Sequence, residues 1–214
     1  MRMIVPGRVI SWTRKGPFGM ELRSYAYRRG DVVVWIDPVM PDDKDMTGVE
    51  AFGRPHHVIL TFGGHDRDAE AVRTRYGAPV WVPEPEGGNR LLPSAEHQYN
   101  WQSELPAGLR AVHIPGVGMG EHAVCGDVDG RRFAFVGDSV HHVEKPNLLE
   151  RLILRQPRGE LQHKAFFWGG EKKTALKEAK RLISLELDML FPTHGSPITH
   201  DARGKIRESL SAWS

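Results

Sequence analysis

The order of hydrophobic patterns along the chain is the feature that most restricts its fold. A β-branched run, "GDVVVWIDP" at 30–38, and a second apolar run, "HHVILTF" at 56–62, are typical of buried strands. Helical spacing of apolar residues follows over 66–76, and a third strand is predicted at 78–84. We therefore predict a unit of strand, turn, helix and strand in this half of the chain.

The second half repeats this order with more strands. Three further runs have the composition of strands, at 109–114, 122–128 and 131–138. Asp129 and Gly130 join the last two runs, and this dipeptide predicts a tight hairpin. A fourth, shorter strand is predicted within 188–195, where "DMLF" breaks into a Pro-Thr-His-Gly loop.

Two helices accompany these strands. The segment 171–187 is amphipathic, and Thr199 can cap a last helix that runs to about Ser211. Strands, a helix, strands and a helix in this order favour two sheets with helices outside them, not an all-parallel doubly wound sheet. The 214 residues are enough for one domain, 1–214, with its own hydrophobic core.

The composition disfavours several classes of protein. The 29 basic residues exceed the 27 acidic residues by two, and they form no concentrated block, so no nucleic-acid partner is expected. No apolar stretch reaches the length of a membrane helix, and the N-terminal run is too short for a signal peptide. We expect a cytoplasmic protein without a membrane partner. The single cysteine, Cys125, rules out an internal disulfide and a Cys-rich zinc site.

Acidic or histidine side chains follow three of the predicted strands, at the points where those strands end. Asp66 follows the run at 56–62, Asp138 ends the run at 131–138, and His194 follows "DMLF". Ligands for one ion are commonly gathered in this way, from separate strand ends that a rigid scaffold holds in place. Two carboxylates and one imidazole are an acceptable set for a single divalent ion.

Several of these segments also resemble, in the same order, the motifs of the metallo-β-lactamase superfamily. That superfamily has a T-H-x-H-x-D-H loop, a P-G-H loop, a G-D strand end and a late histidine in a P-x-H-G loop. The matching segments here are "TFGGHDR" (61–67), "PGVGMGEH" (115–122), "FVGDS" (135–139) and "PTHGSPI" (192–198). In addition, "IDPV" (36–39) matches an early strand end of the superfamily. The resemblance implies a four-layer αββα sandwich with the active site along one sheet edge.

Carried over position by position, the resemblance implies that the first metal site has lost its ligands. The first two histidines of the T-H-x-H-x-D-H loop fall on Phe62 and Gly64, and the histidine of the P-G-H loop falls on Val117. A zinc ion needs at least three nitrogen, oxygen or sulfur ligands from the protein, and these three side chains offer none. We therefore expect no two-ion centre of the superfamily's usual kind.

The second metal site keeps three ligands by the same comparison. Asp66, Asp138 and His194 match, whereas Arg67 stands where the superfamily has a histidine. A guanidinium is permanently charged, so it repels a nearby cation and donates well to carboxylates. We predict that Arg67 points into the cleft, replaces the charge of the missing ion and pairs with Asp138 or Asp66.

Three functions remain open from the sequence, and the third of them is an interaction module whose partner surface lies elsewhere. In the first, the protein lacks a cofactor and binds a small anionic ligand or a partner in the former active-site cleft. In the second, one Zn, Fe or Mn ion on Asp66, Asp138 and His194 makes the protein a single-metal hydrolase acting on an ester, thioester or phosphoester. The candidate catalytic residues are Asp66, His65 and Arg67. His65 is either a general base, a ligand in a loop shifted by one residue, or a polar residue at a helix start.

Overall fold

The computed structural model describes residues 1–85, 95–114, 120–152, 158–163 and 180–211. Two sheets and a small strand pair make up its β-structure. The first sheet contains seven strands that lie side by side in chain order: β1 (Arg2–Val5), β2 (Val9–Lys15), β3 (Glu21–Arg29), β4 (Val32–Ile36), β5 (His57–Ile59), β6 (Val80–Pro83) and β7 (His97–Tyr99).

The second sheet has four strands in the order β13, β10, β9, β8. Their bounds are β8 (Arg110–His113), β9 (His122–Val128), β10 (Arg131–Val136) and β13 (Met189–Pro192). The small pair consists of β11 (Val140–His142) and β12 (Leu161–His163). The hairpin between β9 and β10 is confirmed, because Asp129 and Gly130 both have positive φ, at 52° and 76°, as a tight two-residue turn requires.

Helices cover the outer faces of both sheets. Four of them are α1 (Asp43–Phe52), α2 (Ala69–Tyr76), α3 (Leu148–Leu152) and α5 (Ala202–Ser211). A further helix, α4, is described over residues 180–184. Val49 of α1 and Val72 of α2 are buried against the first sheet, whereas Leu182 of α4 and Ile206 of α5 are buried against the second. No helix among the described residues is long and apolar enough to cross a membrane.

The main core lies between the two sheets. Tyr25 of the first sheet packs against Phe135 and Phe191 of the second, with ring centroids 5.2 and 5.7 Å apart. Such pairs of buried rings add to the stabilisation that comes from their buried apolar area. Helix, sheet, sheet and helix form four layers, so the predicted αββα sandwich is confirmed.

Several local predictions differ from the structure. The segment between the first two predicted strands, to which no element is assigned above, contains a ten-residue helix, α1. The cap of α5 is Asp201, whose carboxylate accepts a hydrogen bond from the backbone N of Gly204, so the predicted cap at Thr199 is wrong. Of the helix predicted at 171–187, residues 180–184 are helical, and 171–179 lie outside the described residues.

The pairing of the strands decides where their following loops meet. Strands β4 and β5 are parallel neighbours in the first sheet, and β10 and β13 are parallel neighbours in the second. The carboxyl ends of parallel neighbours lie at the same edge of a sheet. Within each sheet the two following loops therefore share an edge, and hydrogen bonds between side chains of these loops join the edges of the two sheets.

Candidate functional site

His65 stands at the centre of a buried polar group. Its Nδ1 atom lies 3.0 Å from Oδ2 of Asp37, and its Nε2 atom lies 2.9 Å from Oδ1 of Asp138. All three side chains are buried. The imidazole therefore bridges a carboxylate that follows β4 and a carboxylate that follows β10, and in this way it links the two sheets.

His194 completes this group. Its Nε2 atom lies 3.0 Å from the same Oδ1 atom of Asp138. One ligand atom from each of His65, Asp138 and His194 lies within 4.8 Å of the other two, and this is the one group of three metal-ligating side chains among the residues that the structure describes. Asp138 and His194, which the sequence placed at strand ends, are thus brought together.

Asp66 does not join the group, so the expectation that its carboxylate would face Asp138 and His194 is wrong. Its side chain is exposed, and its Oδ1 atom accepts a hydrogen bond from the backbone N of Arg67 at 2.9 Å. The cause is a tight turn in which the backbone N of His65 donates to the carbonyl of Phe62. This turn directs His65 inward, and Asp66, the next residue, faces solvent.

Arg67 points into the group, but its contacts differ from the predicted pairing. Its Nη1 atom donates to the backbone carbonyls of Arg23 and Asp37, each at 3.0 Å. Its Nη2 atom lies 3.3 Å from Nε2 of His65 and 3.5 Å from Nε2 of His194. Among the described residues, the guanidinium is thus anchored by main-chain oxygens and rests against two imidazoles, and its carboxylate neighbours act on it at longer range.

The titration behaviour of the group follows from its burial and its internal charges. Burial and the Arg67 guanidinium act to lower the pKa of His65, but Asp138 and Asp37 outweigh them and raise it to about 9. Burial acts to raise the pKa of Asp138, but the two imidazoles hold it well below its ordinary range. Burial lowers the pKa of His194. At neutral pH, His65 is therefore an imidazolium, Asp138 a carboxylate and His194 a neutral imidazole.

Asp37 is a member of this group that the sequence analysis did not assign to the site. Its Oδ1 atom accepts a hydrogen bond from the backbone N of Thr61 at 2.7 Å. Its Oδ2 atom accepts a hydrogen bond from the Thr61 hydroxyl and also contacts His65. Asp37 has a φ of 45°, which is uncommon for a residue other than glycine. The only signal in the sequence was its position at the end of a strand, in "IDPV".

Glu121 is a second residue that sequence reasoning missed. It is fully buried. Its Oε1 and Oε2 atoms accept hydrogen bonds from the backbone N of Ser139 at 3.0 and 2.9 Å, and Oε1 also accepts one from the Ser139 hydroxyl. Burial raises the pKa of Glu121 to about 8, although the hydrogen bonds from Ser139 act to lower it. Glu121 thereby fixes the residue that follows Asp138. In the sequence it lies within the segment 115–122, which was matched to the P-G-H loop, but its own position matched no residue of that motif.

Comparison with known proteins supports this architecture through structure alone. No protein-family model matches the chain, and no curated protein matches it either. A metallo-beta-lactamase family protein from Thermus thermophilus superimposes with a TM-score of 0.67 at 15% identity, over 99% of this chain and 80% of that chain. The chain has the metallo-β-lactamase fold.

Two further structures extend the comparison. The metallo-beta-lactamase FIM-1 from Pseudomonas aeruginosa, in a mono-zinc form, matches with a TM-score of 0.63 at 15% identity, over 99% of this chain and 94% of that chain. An archaeal metallo-beta-lactamase superfamily protein from Sulfolobus tokodaii matches with a TM-score of 0.61 at 16% identity, over 96% of this chain and 85% of that chain. The metallo-β-lactamase fold therefore extends over nearly the whole chain.

Positions that the resemblance assigned to the first metal site carry no ligand atoms. Phe62 is buried, and its ring lies edge-on to the ring of His65, with 5.3 Å between the ring centroids. Gly64 is exposed, and a Cβ at this position would lie only 2.6 Å from the ring of Phe62. Val117 lies outside the described residues. Phe62 and Gly64 do not fit the two-zinc centre that the metallo-β-lactamase fold implies, because neither side chain can coordinate an ion.

The other histidines near this edge form no second group of three among the described residues. His113 and His122 face each other with ring centroids 5.0 Å apart, and burial together with His113 lowers the pKa of His122 to about 3. The ring of His141 lies 4.6 Å from that of His194. One ion could find two nitrogens and one oxygen in His65, His194 and Asp138, although the fixed charge of Arg67 lies beside both nitrogens.

Proposed function

We propose that this protein uses the metallo-β-lactamase fold without a two-ion centre and binds a small anionic ligand beside the group of His65, Asp138 and His194. The observation that supports this most directly is the position of Arg67. Its Nη2 atom lies within 3.5 Å of the Nε2 atoms of both histidines. There it supplies a permanent positive charge next to the nitrogens that would otherwise coordinate a metal ion.

The balance of charge within the group supports the same proposal. Asp37 and Asp138 are buried carboxylates, and two buried carboxylates without a counter-charge would repel each other and take up a proton. The guanidinium of Arg67 and the imidazolium of His65 supply two positive charges from the protein itself. The group is therefore neutral without a metal ion.

A cavity beside the loop of His194 offers space for the ligand. Its volume is about 560 Å³, within the range of small-molecule sites. Arg23, Gly195 and Ser196 form part of its wall, whereas Arg67 and the three metal-ligating side chains do not. Most of its cations are paired, since Arg14, Arg23 and Lys44 contact Asp68, Glu21 and Asp42.

The remaining two cations of this cavity support an anionic ligand. Lys15 and Lys145 line the cavity, and neither forms an ion pair with another described residue. Two exposed ammonium groups in the wall of a cavity attract an anion through solvent-screened electrostatics, against the opposing charge of Glu144 and Glu150 in the same wall. A carboxylate or a phosphate group of a small molecule matches this arrangement.

The test is calorimetric titration with inorganic phosphate, citrate and, as a neutral probe, glycerol. We expect phosphate or citrate to bind at low salt and glycerol not to bind. The double substitution Lys15→Gln and Lys145→Gln should weaken anion binding about tenfold, since each lost charge at such a site contributes up to about 1 kcal/mol. Lys205→Gln, at an exposed position of α5, is the matched control. The absence of anion binding, or equal weakening by the control, would contradict the proposal.

A second candidate function is a single-metal hydrolase, and the convergence of His65, Asp138 and His194 favours it. In this second candidate function His65, rather than Asp66 as predicted from the sequence, is the third metal ligand. A bound ion would make water nucleophilic at neutral pH, for attack on an ester, thioester or phosphoester. The protein's own contribution would be to orient the two imidazoles, with Asp37 holding Nδ1 of His65.

Metal content separates the two functions. One zinc, iron or manganese ion per chain in the purified protein, lost on Asp138→Asn and on His194→Gln, would support the second function and overturn the first. Less than about one tenth of an ion per chain after purification in zinc-containing buffer is the result that the first function requires.

A further inference from the structure

We infer that Arg23 is a positioning residue, which holds the loop of His194 and the guanidinium of Arg67 in a fixed relation to each other. Arg23 lies on β3, in the first sheet, and its side chain is almost fully buried. Neither the motifs in the sequence nor the group of metal-ligating side chains includes it. Its bearing on ligand binding rests on the function proposed above.

The side chain of Arg23 uses its donors in three directions. Nε donates to the backbone carbonyl of Gly195, Nη1 donates to the Ser11 hydroxyl at 3.0 Å, and Nη2 donates to Glu21 at 2.6 Å. A buried guanidinium is costly unless its donors are paired, and here each of its three nitrogens has one acceptor. Because the guanidinium is planar, Ser11 and Glu21 fix its orientation, and the hydrogen bond to Gly195 has a defined direction.

The backbone of Arg23 holds the other parts of the site. Its N–H donates to the carbonyl of Thr193 at 3.0 Å, so one residue contacts the chain on both sides of His194. Its carbonyl accepts a hydrogen bond from Nη1 of Arg67 at 3.0 Å. A shift of β3 at this residue would therefore move the His194 loop and Arg67 together.

The opposite side of the His194 loop is held by β11. The backbone N of His142 donates to the carbonyl of His194 at 3.0 Å, and the backbone N of Ser196 donates to the carbonyl of His142 at 2.6 Å. Gly195 lies so close to His142 that a Cβ would collide with its carbonyl oxygen. The loop is thus held between β11 and Arg23, and loss of the hydrogen bond from Arg23 frees one of its two sides.

The test observes His194 directly. Long-range proton–nitrogen correlation spectra of protein labelled with ¹⁵N-histidine report the ring nitrogens, and His194→Gln assigns the signals. We expect Arg23→Gln to shift the His194 signals and to weaken phosphate binding roughly tenfold, which corresponds to the loss of one charge-assisted hydrogen bond. Arg23→Lys keeps the charge but not the planar set of donors, so its signals should lie between those of Arg23→Gln and the wild type.

Arg28→Gln is the matched control. Arg28 also lies on β3 and also donates to backbone carbonyls, those of Gly7 and Phe52 at 3.2 Å each, but away from the site. It should lower the melting temperature without moving the His194 signals. Ser11→Ala removes one acceptor of the Arg23 guanidinium and provides a milder change if Arg23→Gln fails to fold; it should shift the same signals by a smaller amount.

The outcomes separate this inference from the proposed function. If Arg23→Gln, or Ser11→Ala in its place, lowers the melting temperature but leaves the His194 signals at their wild-type positions, Arg23 is merely structural and the inference is overturned. Full recovery of the signals in Arg23→Lys would also overturn it, since charge alone would then suffice. If the signals move as expected while the wild type binds no anion, the proposed function fails and the positioning role stands.

Discussion

The Nη2 atom of Arg67 lies 3.3 Å from the Nε2 atom of His65, a residue only two positions earlier in the chain. Both residues border a turn in which the backbone N of Ala69 donates to the carbonyl of Asp66 at 2.7 Å, and Arg67 within this turn has a φ of 37°. Positive φ is uncommon outside glycine and costs on the order of 1 kcal/mol or more, so the surrounding hydrogen bonds must hold it. The hydrogen bonds from Arg67 to the carbonyls of Arg23 and Asp37 do so.

Removal of the Arg67 charge should increase the net repulsion between the carboxylates of Asp37 and Asp138. We expect Arg67→Ala to lower the free energy of unfolding by about 3 kcal/mol, because Asp37 and Asp138 then share only the charge of His65. Arg67→His should in addition bind about one zinc ion per chain, because it adds a nitrogen beside three existing ligands. Urea unfolding and elemental analysis measure the two effects.

The control for these variants is Arg14→Ala, because Arg14 forms an exposed ion pair with Asp68 at 3.0 Å. That change should cost less than about 1 kcal/mol. Stoichiometric zinc already present in the wild type would show that Arg67 does not replace an ion.

The imidazole of His65 should make stability depend on pH. Its pKa is about 9 in the folded protein against an ordinary value of 6.5. A raised pKa means that the folded state binds the proton more tightly, so the stabilisation is fully present below pH 6.5 and is lost as pH rises through 9. We expect the free energy of unfolding to fall by on the order of 3 kcal/mol over this window. His65→Gln should abolish that part of the decline in urea unfolding measured from pH 6 to 10.

Glu121 should contribute a second decline, at lower pH. Its pKa is about 8 in the folded protein against an ordinary value of 4.5, so the buried carboxyl is protonated over most of this range. The stabilisation is full below pH 4.5 and is lost as pH rises through 8. Glu121→Gln keeps the shape but cannot ionise, so the difference in stability between the wild type and this variant should change with pH between 4.5 and 8. A constant difference over that range would show that Glu121 is ionised in the folded protein.

Gly195 should tolerate no side chain. Its φ is 102°, and a Cβ would collide with the carbonyl oxygen of His142. We expect Gly195→Ala to destabilise the protein by well over the roughly 1 kcal/mol that positive φ alone costs, and to weaken anion binding because His194 is the preceding residue. Gly130→Ala isolates the conformational cost, since Gly130 has a φ of 76° and open space around its Cα. Equal melting temperatures for the two variants would contradict the expected clash.

Local sequence determined the four strands that end at the site, β4, β5, β10 and β13, and two members of the site. The pairing of β10 with β9 follows from a strong hairpin signal at Asp129 and Gly130, which depends on neighbouring residues alone. Asp138 and His194 could be predicted because each comes directly after an apolar run, and the ends of parallel strands meet at one edge. The motif resemblance added the four-layer arrangement, which the superposition with solved structures supports.

The tertiary structure decided which side chain of the loop after β5 faces the interior. His65 is directed inward because its two ring nitrogens find Asp37 and Asp138, which lie 28 and 73 residues away in the chain. No local pattern encodes such distant partners, so the sequence alone favoured Asp66, one position further on. The role of Glu121 depends on the pairing of β9 with β10, because its partner Ser139 follows the neighbouring strand of the same sheet. The same limit as for His65 applies to Arg23, whose contact with the His194 loop exists only once the two sheets have packed together.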